Sequence, residues 1–178
     1  MSRIDPVDAE VCSADQRTLF ETVEKKMGSV PNVLKTLGHS TAALDAYLKL
    51  SAAQEKSAFT AAERELLSLA ISAENSCKYC VSAHSAIASQ LKLSEEQIKA
   101  AMSGRAGDVR MEAALRLAKT LAAERGWVGD DALQSARKAG LKDGEVMDIV
   151  LAVTANTLTN YANHLADTDI DFPPVDLP

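Results

Sequence analysis

The sequence predicts an all-α protein. Three observations lead there. Apolar residues recur at helical spacing along most of the 178-residue chain. Helix punctuation is frequent: Thr60 to Glu63 and Ser94 to Gln97 are capping boxes, and Gly28, Gly38, Gly126 and Gly140 each stand where a periodic run ends. No segment alternates apolar and polar residues as a half-buried strand does.

Each element has its own justification. The polar opening, residues 1–13, reads as an extended arm. Asp15 to Met27 carries Leu19, Phe20, Val23 and Met27 on one helical stripe. Pro31 can open a short helix running to Leu37, because proline suits the first helical turn. Ser40 can cap a helix with Leu44, Tyr47, Leu48 and Leu50. The Thr60 box opens a helix bearing Leu66, Leu67, Leu69, Ala70 and Ile71. A cysteine-containing helix follows almost at once and runs to about Gln90. The Ser94 box precedes Ile98 and Met102. Met111 to Glu124 is a further helix, and Asp130 or Asp131 can cap a short one ending near Ala139. Asp143 to about Leu165 is the longest apolar helix. The tail, residues 169–178, holds three of the five prolines and is expected to lie on a neighbouring subunit.

Composition narrows the function classes. Hydrophobic residues make up 47% but aromatics only 4%, so the core must come from Ala, Leu, Val and Ile. Such small side chains favour closely packed helices and a homo-oligomer. A net charge of −6 with no basic run argues against a nucleic-acid surface. The N-terminus lacks the apolar stretch of a secretory signal, and no apolar run approaches the roughly 18 residues of a membrane span. The expected compartment is the cytoplasm. Cys12 stands alone in the arm and reads as an incidental thiol. A faint internal duplication also suggests itself. A shift of 80 residues lays Glu65, Cys80 and His84 over Glu145, Asn160 and His164, while a shift of 82 pairs Glu63 and Tyr79 with Glu145 and Tyr161.

The segment Glu74-Asn75-Ser76-Cys77-Lys78-Tyr79-Cys80-Val81-Ser82-Ala83-His84 carries the chemistry. Read as helix, it places Cys77, Cys80 and His84 within roughly 60° of one another at about 100° per residue. Neighbours at this spacing have Cβ atoms about 5–6 Å apart, close enough for a disulfide. Three readings are open. The residues can be core, since free cysteine behaves as a small hydrophobe. They can be three ligands of a zinc site completed by Glu65, Glu74, Cys12 or His164. Or they can be a redox centre. A thiolate attacks peroxide, a second thiol resolves the sulfenic acid as a disulfide, and an imidazole carries the proton. Cys80, one turn from His84, is then the attacking thiol and Cys77 the resolving one. Glu65, on the preceding helix, is the best candidate to orient His84. Glu63 is better placed as a cap, and Glu74 sits at the bend.

Glu65, an eleven-residue gap, Cys77-Lys78-Tyr79-Cys80 and Val81-Ser82-Ala83-His84 together resemble the signature of AhpD-like alkyl hydroperoxidases, within the carboxymuconolactone decarboxylase superfamily. Val30-Pro31-Asn32 and Asn160-Tyr161-Ala162-Asn163-His164 are similar to its longer peroxidase-related branch. The resemblance covers roughly residues 18 to 173. It implies a single all-helical domain that assembles as trimers or hexamers. It also implies thiol-dependent hydroperoxide reduction without haem or metal, fed by a thiol or disulfide-reductase donor. By position, Glu65 and His84 are the proton relay, Cys80 the peroxidatic thiol and Cys77 the resolving thiol. One position departs: the archetype has a second histidine where this chain has Tyr79. A phenol of pKa near 10 is a poor base at neutral pH, though it can hydrogen-bond. The decarboxylase branch typically lacks the cysteine pair, so the pair argues against lactone chemistry.

Overall fold

A computed structural model describes residues 2–178; Met1, the first residue of the expected arm, lies outside the described residues. The described residues form nine α-helices and no strand: α1 Ala14–Met27, α2 Asn32–Leu37, α3 Thr41–Gln54, α4 Ala61–Glu74, α5 Lys78–Gln90, α6 Glu95–Met102, α7 Val109–Ala123, α8 Asp130–Lys138 and α9 Asp143–Ala166. The caps behave as the sequence requires. Ser13, Ser40, Thr60, Ser94 and Asp108 each accept a backbone N–H of the first turn through a side-chain oxygen. Several starts differ by one or two residues: α1 begins at Ala14 and α7 at Val109, ahead of the expected Asp15 and Met111. Pro31 is the cap of α2 rather than its first residue, and Gly129 caps α8, leaving Asp130 and Asp131 in the first turn, where the helix dipole favours them.

α4 is the central element and packs against α5, α6, α7 and α9. Its Leu67, Leu69, Ala70 and Ile71 share one core with Leu115, Leu117 and Ala118 of α7 and Ile149 and Ala152 of α9. A second, smaller core joins Phe20 and Val23 of α1, Val33, Leu34 and Leu37 of α2 and Leu44 of α3 to Cys77, Tyr79 and Cys80. The cysteines therefore sit in an apolar seam between the first three helices and the start of α5. Gly38 is required in this seam, since a β-carbon there would come within 2.5 Å of the Phe20 ring. Across the top of the larger core, Arg110 pairs with Glu63 at 3.1 Å and with Glu145, and lies over the Phe59 ring. Glu63 and Glu145 occupy the same position in the first turns of α4 and α9, which begin 82 residues apart. The same register pairs Leu69 with Leu151 and Ala73 with Ala155, after which α9 continues where α4 ends and carries no cysteine.

The tail, expected on a neighbouring subunit, packs along its own chain. Asp171 accepts the Tyr79 O–H at 2.6 Å and the Asn32 N–H at 2.9 Å. The Phe172 ring meets Tyr79 edge-on at 5.8 Å. Val175 N–H donates to Ser82 Oγ at 3.0 Å, and Lys78 pairs with Asp176 at 2.8 Å. Residues on both sides of Cys80 thus hold the tail. The N-terminal arm closes on the same end of the molecule, with Arg3 N–H donating to Ala166 C=O at 2.6 Å. Polar contacts of this density account for the order of a proline-rich segment.

Tyr79 is the keystone of that clasp. Its hydroxyl donates to Asp171 and accepts the Val33 N–H at 3.2 Å. Burial, then the Asp171 hydrogen bond, pushes the phenol above its ordinary range, so it stays neutral at physiological pH. Tyr79→Phe removes both bonds and leaves a buried N–H without its acceptor. The expected result is a stability loss of about 1–3 kcal/mol, read from urea unfolding, with faster proteolysis of the tail. A variant as stable as the parent, with the tail equally protected, would show that the clasp contributes nothing.

Candidate redox site

The chain between α4 and α5 sets up the site. α4 ends at Glu74, Asn75 caps it, and Ser76 adopts the left-handed conformation with φ 56°. That single residue reverses the chain direction. Cys77 is consequently the N-cap of α5 in extended conformation, and its Sγ accepts the Cys80 N–H at 3.4 Å. The reading of Cys77 as a helical residue is corrected by this turn. Only Cys80 and His84 share the helix, one turn apart. Cys77 still reaches Cys80, because an N-cap side chain folds back over the first turn. The two are joined as a disulfide with Cα atoms 5.3 Å apart, inside the usual range of about 4.4–6.8 Å.

Because α4 and α5 run back to back from this turn, Glu65 faces His84. Glu65 Oε2 lies 2.7 Å from His84 Nδ1, with 17% and 20% of the side chains exposed. With Nδ1 donating to the carboxylate, the lone pair stands on Nε2, free to take a proton. Both residues line a cavity of about 570 Å³ together with Tyr47, Leu34, Ile87 and Phe172. Burial and the Glu65 charge push the Tyr47 phenol up to about 12, which keeps it a neutral donor in that wall. Neither cysteine lines the cavity, and both are buried, with Cys77 1% and Cys80 3% exposed.

The secondary candidates go elsewhere. Glu74 pairs with Lys119 of α7 at 2.7 Å. His164 is exposed in the last turn of α9. Tyr79 binds the tail. The zinc arrangement needs separate thiolates beside a histidine. Here the two sulfurs are bonded to each other, and no three His, Cys, Asp or Glu converge as ligands among the described residues. No described helix is long and apolar enough to cross a membrane.

Sequence reasoning missed one neighbour of the sulfurs. Asn163 of α9 is buried, and its Nδ2 lies 3.2 Å from Cys80 Sγ and 3.9 Å from Cys77 Sγ. It ends a row of buried amides. Asn156 donates to Ser68 Oγ at 3.3 Å, and Asn160 joins Ser72 and Asn75. The available signal was three asparagines at positions 156, 160 and 163, helical spacing within an otherwise apolar helix.

The family model for the carboxymuconolactone decarboxylase family matches residues 40–124, which holds α4, α5 and the whole cysteine motif. Solved structures agree along nearly the full chain. A peroxidase-related protein from Ralstonia eutropha JMP134, described as an alkylhydroperoxidase AhpD core, superposes with a TM-score of 0.82 at 25% identity, covering 96% of this chain and 92% of that one. Residues 40–124 thus match the carboxymuconolactone decarboxylase family, and the fold is AhpD-like. Within the AhpD-like fold, a peroxidase-related protein from Silicibacter sp. TM1040 is similar at TM-score 0.78 and 22% identity, over 97% of this chain and 92% of that one. The debrominase Bmp8 in complex with 2,3,4-tribromopyrrole shares the fold at TM-score 0.79 and 17% identity, over 94% and 91%. No curated protein matches the sequence. The all-helical AhpD-like fold is thus common to chains with different chemistry.

Proposed function

We propose that this chain is a thiol-dependent hydroperoxide reductase. One observation carries the reading: the bonded Cys77–Cys80 pair starts the helix on which His84, held by Glu65, stands one turn further on. In the reduced state His84 Nε2 takes the Cys80 thiol proton. The thiolate attacks the terminal oxygen of a hydroperoxide, the O–O bond breaks, and the alkoxide leaves with a proton as the alcohol. Cys77 sulfur then displaces hydroxide from the Cys80 sulfenic acid, giving water and the disulfide. An external thiol or dithiol returns two electrons and two protons. The cavity in front of Glu65 and His84 mixes polar residues such as Arg64 and Gln90 with Leu34, Leu48, Ile87 and Phe172, and its surface is more apolar than polar, which supports an organic peroxide as substrate.

Assembly as a trimer or hexamer belongs to the same reading. It is supported by Met147, Val150, Tyr161 and Leu165, which stand exposed along α9.

The test is peroxide consumption with a recycling dithiol, combined with thiol counting before and after one equivalent of peroxide. Two thiols lost per chain and continued turnover are expected. One stoichiometric oxidation without turnover would instead make the pair a redox switch. Bromide release from a brominated pyrrole, with peroxide untouched, would assign the chemistry seen on the Bmp8 fold.

A further inference from the structure

The two sulfurs share one amide donor unequally. Among the described residues, Asn163 Nδ2 lies 3.2 Å from Cys80 Sγ but 3.9 Å from Cys77 Sγ, which also receives the Cys80 N–H at 3.4 Å. Asn163 is 5% exposed, and its Oδ1 is buried without a hydrogen-bond partner among the described residues. A buried amide acceptor left unpaired is costly. An amide carries donor and acceptor on one planar group, so this acceptor belongs to the same rigid group whose Nδ2 meets both sulfurs. The disulfide offers it nothing, because neither sulfur carries hydrogen. A reduced cysteine does.

We infer that Asn163 selects which sulfur carries the negative charge once the pair is reduced. Its Nδ2 donates to a Cys80 thiolate, and its Oδ1 accepts the S–H of Cys77. This rests on the redox reading of the pair. Reduction by an external dithiol breaks the S–S bond and adds two electrons and two protons, while the dithiol becomes a disulfide. One proton stays on Cys77, where the amide oxygen holds it. The other leaves Cys80 for His84 Nε2. The selection has a real opponent: Cys77 is the N-cap of α5, and a helix N-terminus favours a thiolate at that position. The ionisable groups on the packed elements include His84, Lys78 and Tyr79 of α5, Glu65 and Glu74 of α4, Tyr47 of α3, Tyr161 and His164 of α9 and Asp171 of the tail. None of them hydrogen-bonds either sulfur among the described residues. The amide is therefore the feature that tips the balance from Cys77 to Cys80.

The experiment is limited alkylation of the reduced chain with iodoacetamide at pH 7. Tryptic cleavage after Lys78 places the two cysteines on separate peptides. The parent is expected to label Cys80 faster. Asn163→Ala, which removes donor and acceptor, and Asn163→Asp, which keeps the shape but not the donor, are each expected to shift the Cys80-to-Cys77 ratio by at least about fivefold toward Cys77, as loss of a charge-assisted hydrogen bond requires. Circular dichroism checks that the fold is kept; a purely packing role for Asn163 would lower stability without moving the ratio. An unchanged ratio in both variants overturns the inference. Should neither variant fold, the parent decides: its Asn163 side-chain amide resonances are expected to shift on reduction, and unchanged resonances overturn the inference. A parent that labels asymmetrically but consumes no peroxide refutes the proposed activity while leaving the role of Asn163 intact.

Discussion

Cys80→Ser is expected to abolish peroxide turnover, whereas Cys77→Ser keeps the first oxidation and stops at a sulfenic acid on Cys80. The two thiols differ in position more than their spacing suggests. Cys80 lies inside α5, one turn before His84, with Asn163 donating to its sulfur. Cys77 lies at the cap, bonded to Cys80 and turned back over the first turn. Proton removal by His84 therefore serves Cys80, and the cap thiol is placed to displace hydroxide from the oxidised sulfur. Without Cys77 the neighbouring resolving thiol is gone; Cys12, the free thiol packed at the edge of the same apolar cluster, is replaced by serine in both chains so that it cannot substitute. The check is trapping with a sulfenic-acid reagent after one equivalent of peroxide, followed by peptide mapping. Adduct on Cys77 in the Cys80→Ser chain, with turnover retained, would reverse the assignment. It would also mean that the helix N-terminus outweighs the imidazole and the amide together.

Glu65→Gln is expected to slow oxidation of Cys80 by at least about 100-fold while leaving the fold intact, the lower end of what general-base catalysis supplies. The carboxylate does two things at 2.7 Å. It fixes the tautomer that leaves Nε2 unprotonated, and it stabilises the imidazolium formed when the thiol proton arrives. Glutamine can retain the hydrogen bond but not the charge, so the second effect is lost. No other carboxylate replaces it: Glu74 is engaged by Lys119, and Glu63 by its capping bonds and Arg110. Tyr79 cannot rescue the variant either, since its phenol is held neutral and is committed to Asp171 and Val33. Stopped-flow oxidation across pH 6–8 is the measurement. A rate equal to the parent over that range would remove Glu65 from the mechanism, with no second carboxylate candidate left.

Much of this was legible before any coordinates. Helix starts at Ser13, Ser40, Thr60 and Ser94 depend on a hydroxyl reaching an N–H three residues away, a strictly local event. The pairing distance of Cys77 and Cys80 is local as well, and so is the single turn separating Cys80 from His84. Local interactions are written in local sequence, so helix number, helix order and the cysteine motif could be read there. The turn at Ser76 was not legible, because a left-handed serine has no sequence mark comparable to glycine. It moved Cys77 from the helix face to the cap.

What tertiary structure alone decided lies at larger separation. Glu65 and Glu74 are both glutamates on α4, and sequence could only rank them. Packing of α5 and α7 on opposite faces sends one to His84 and the other to Lys119. The tail was expected on a neighbouring subunit; a phenol 92 residues away from Asp171 holds it along its own chain. Asn163, 83 residues from Cys80, looked like one amide in an apolar helix until α9 packed against the start of α5. The physical reason is the same in each case. A short side-chain contact is worth a hydrogen bond only when packing removes water and fixes both partners. Composition and periodicity determine that helices will pack. Which faces meet is settled by the summed fit of the whole core.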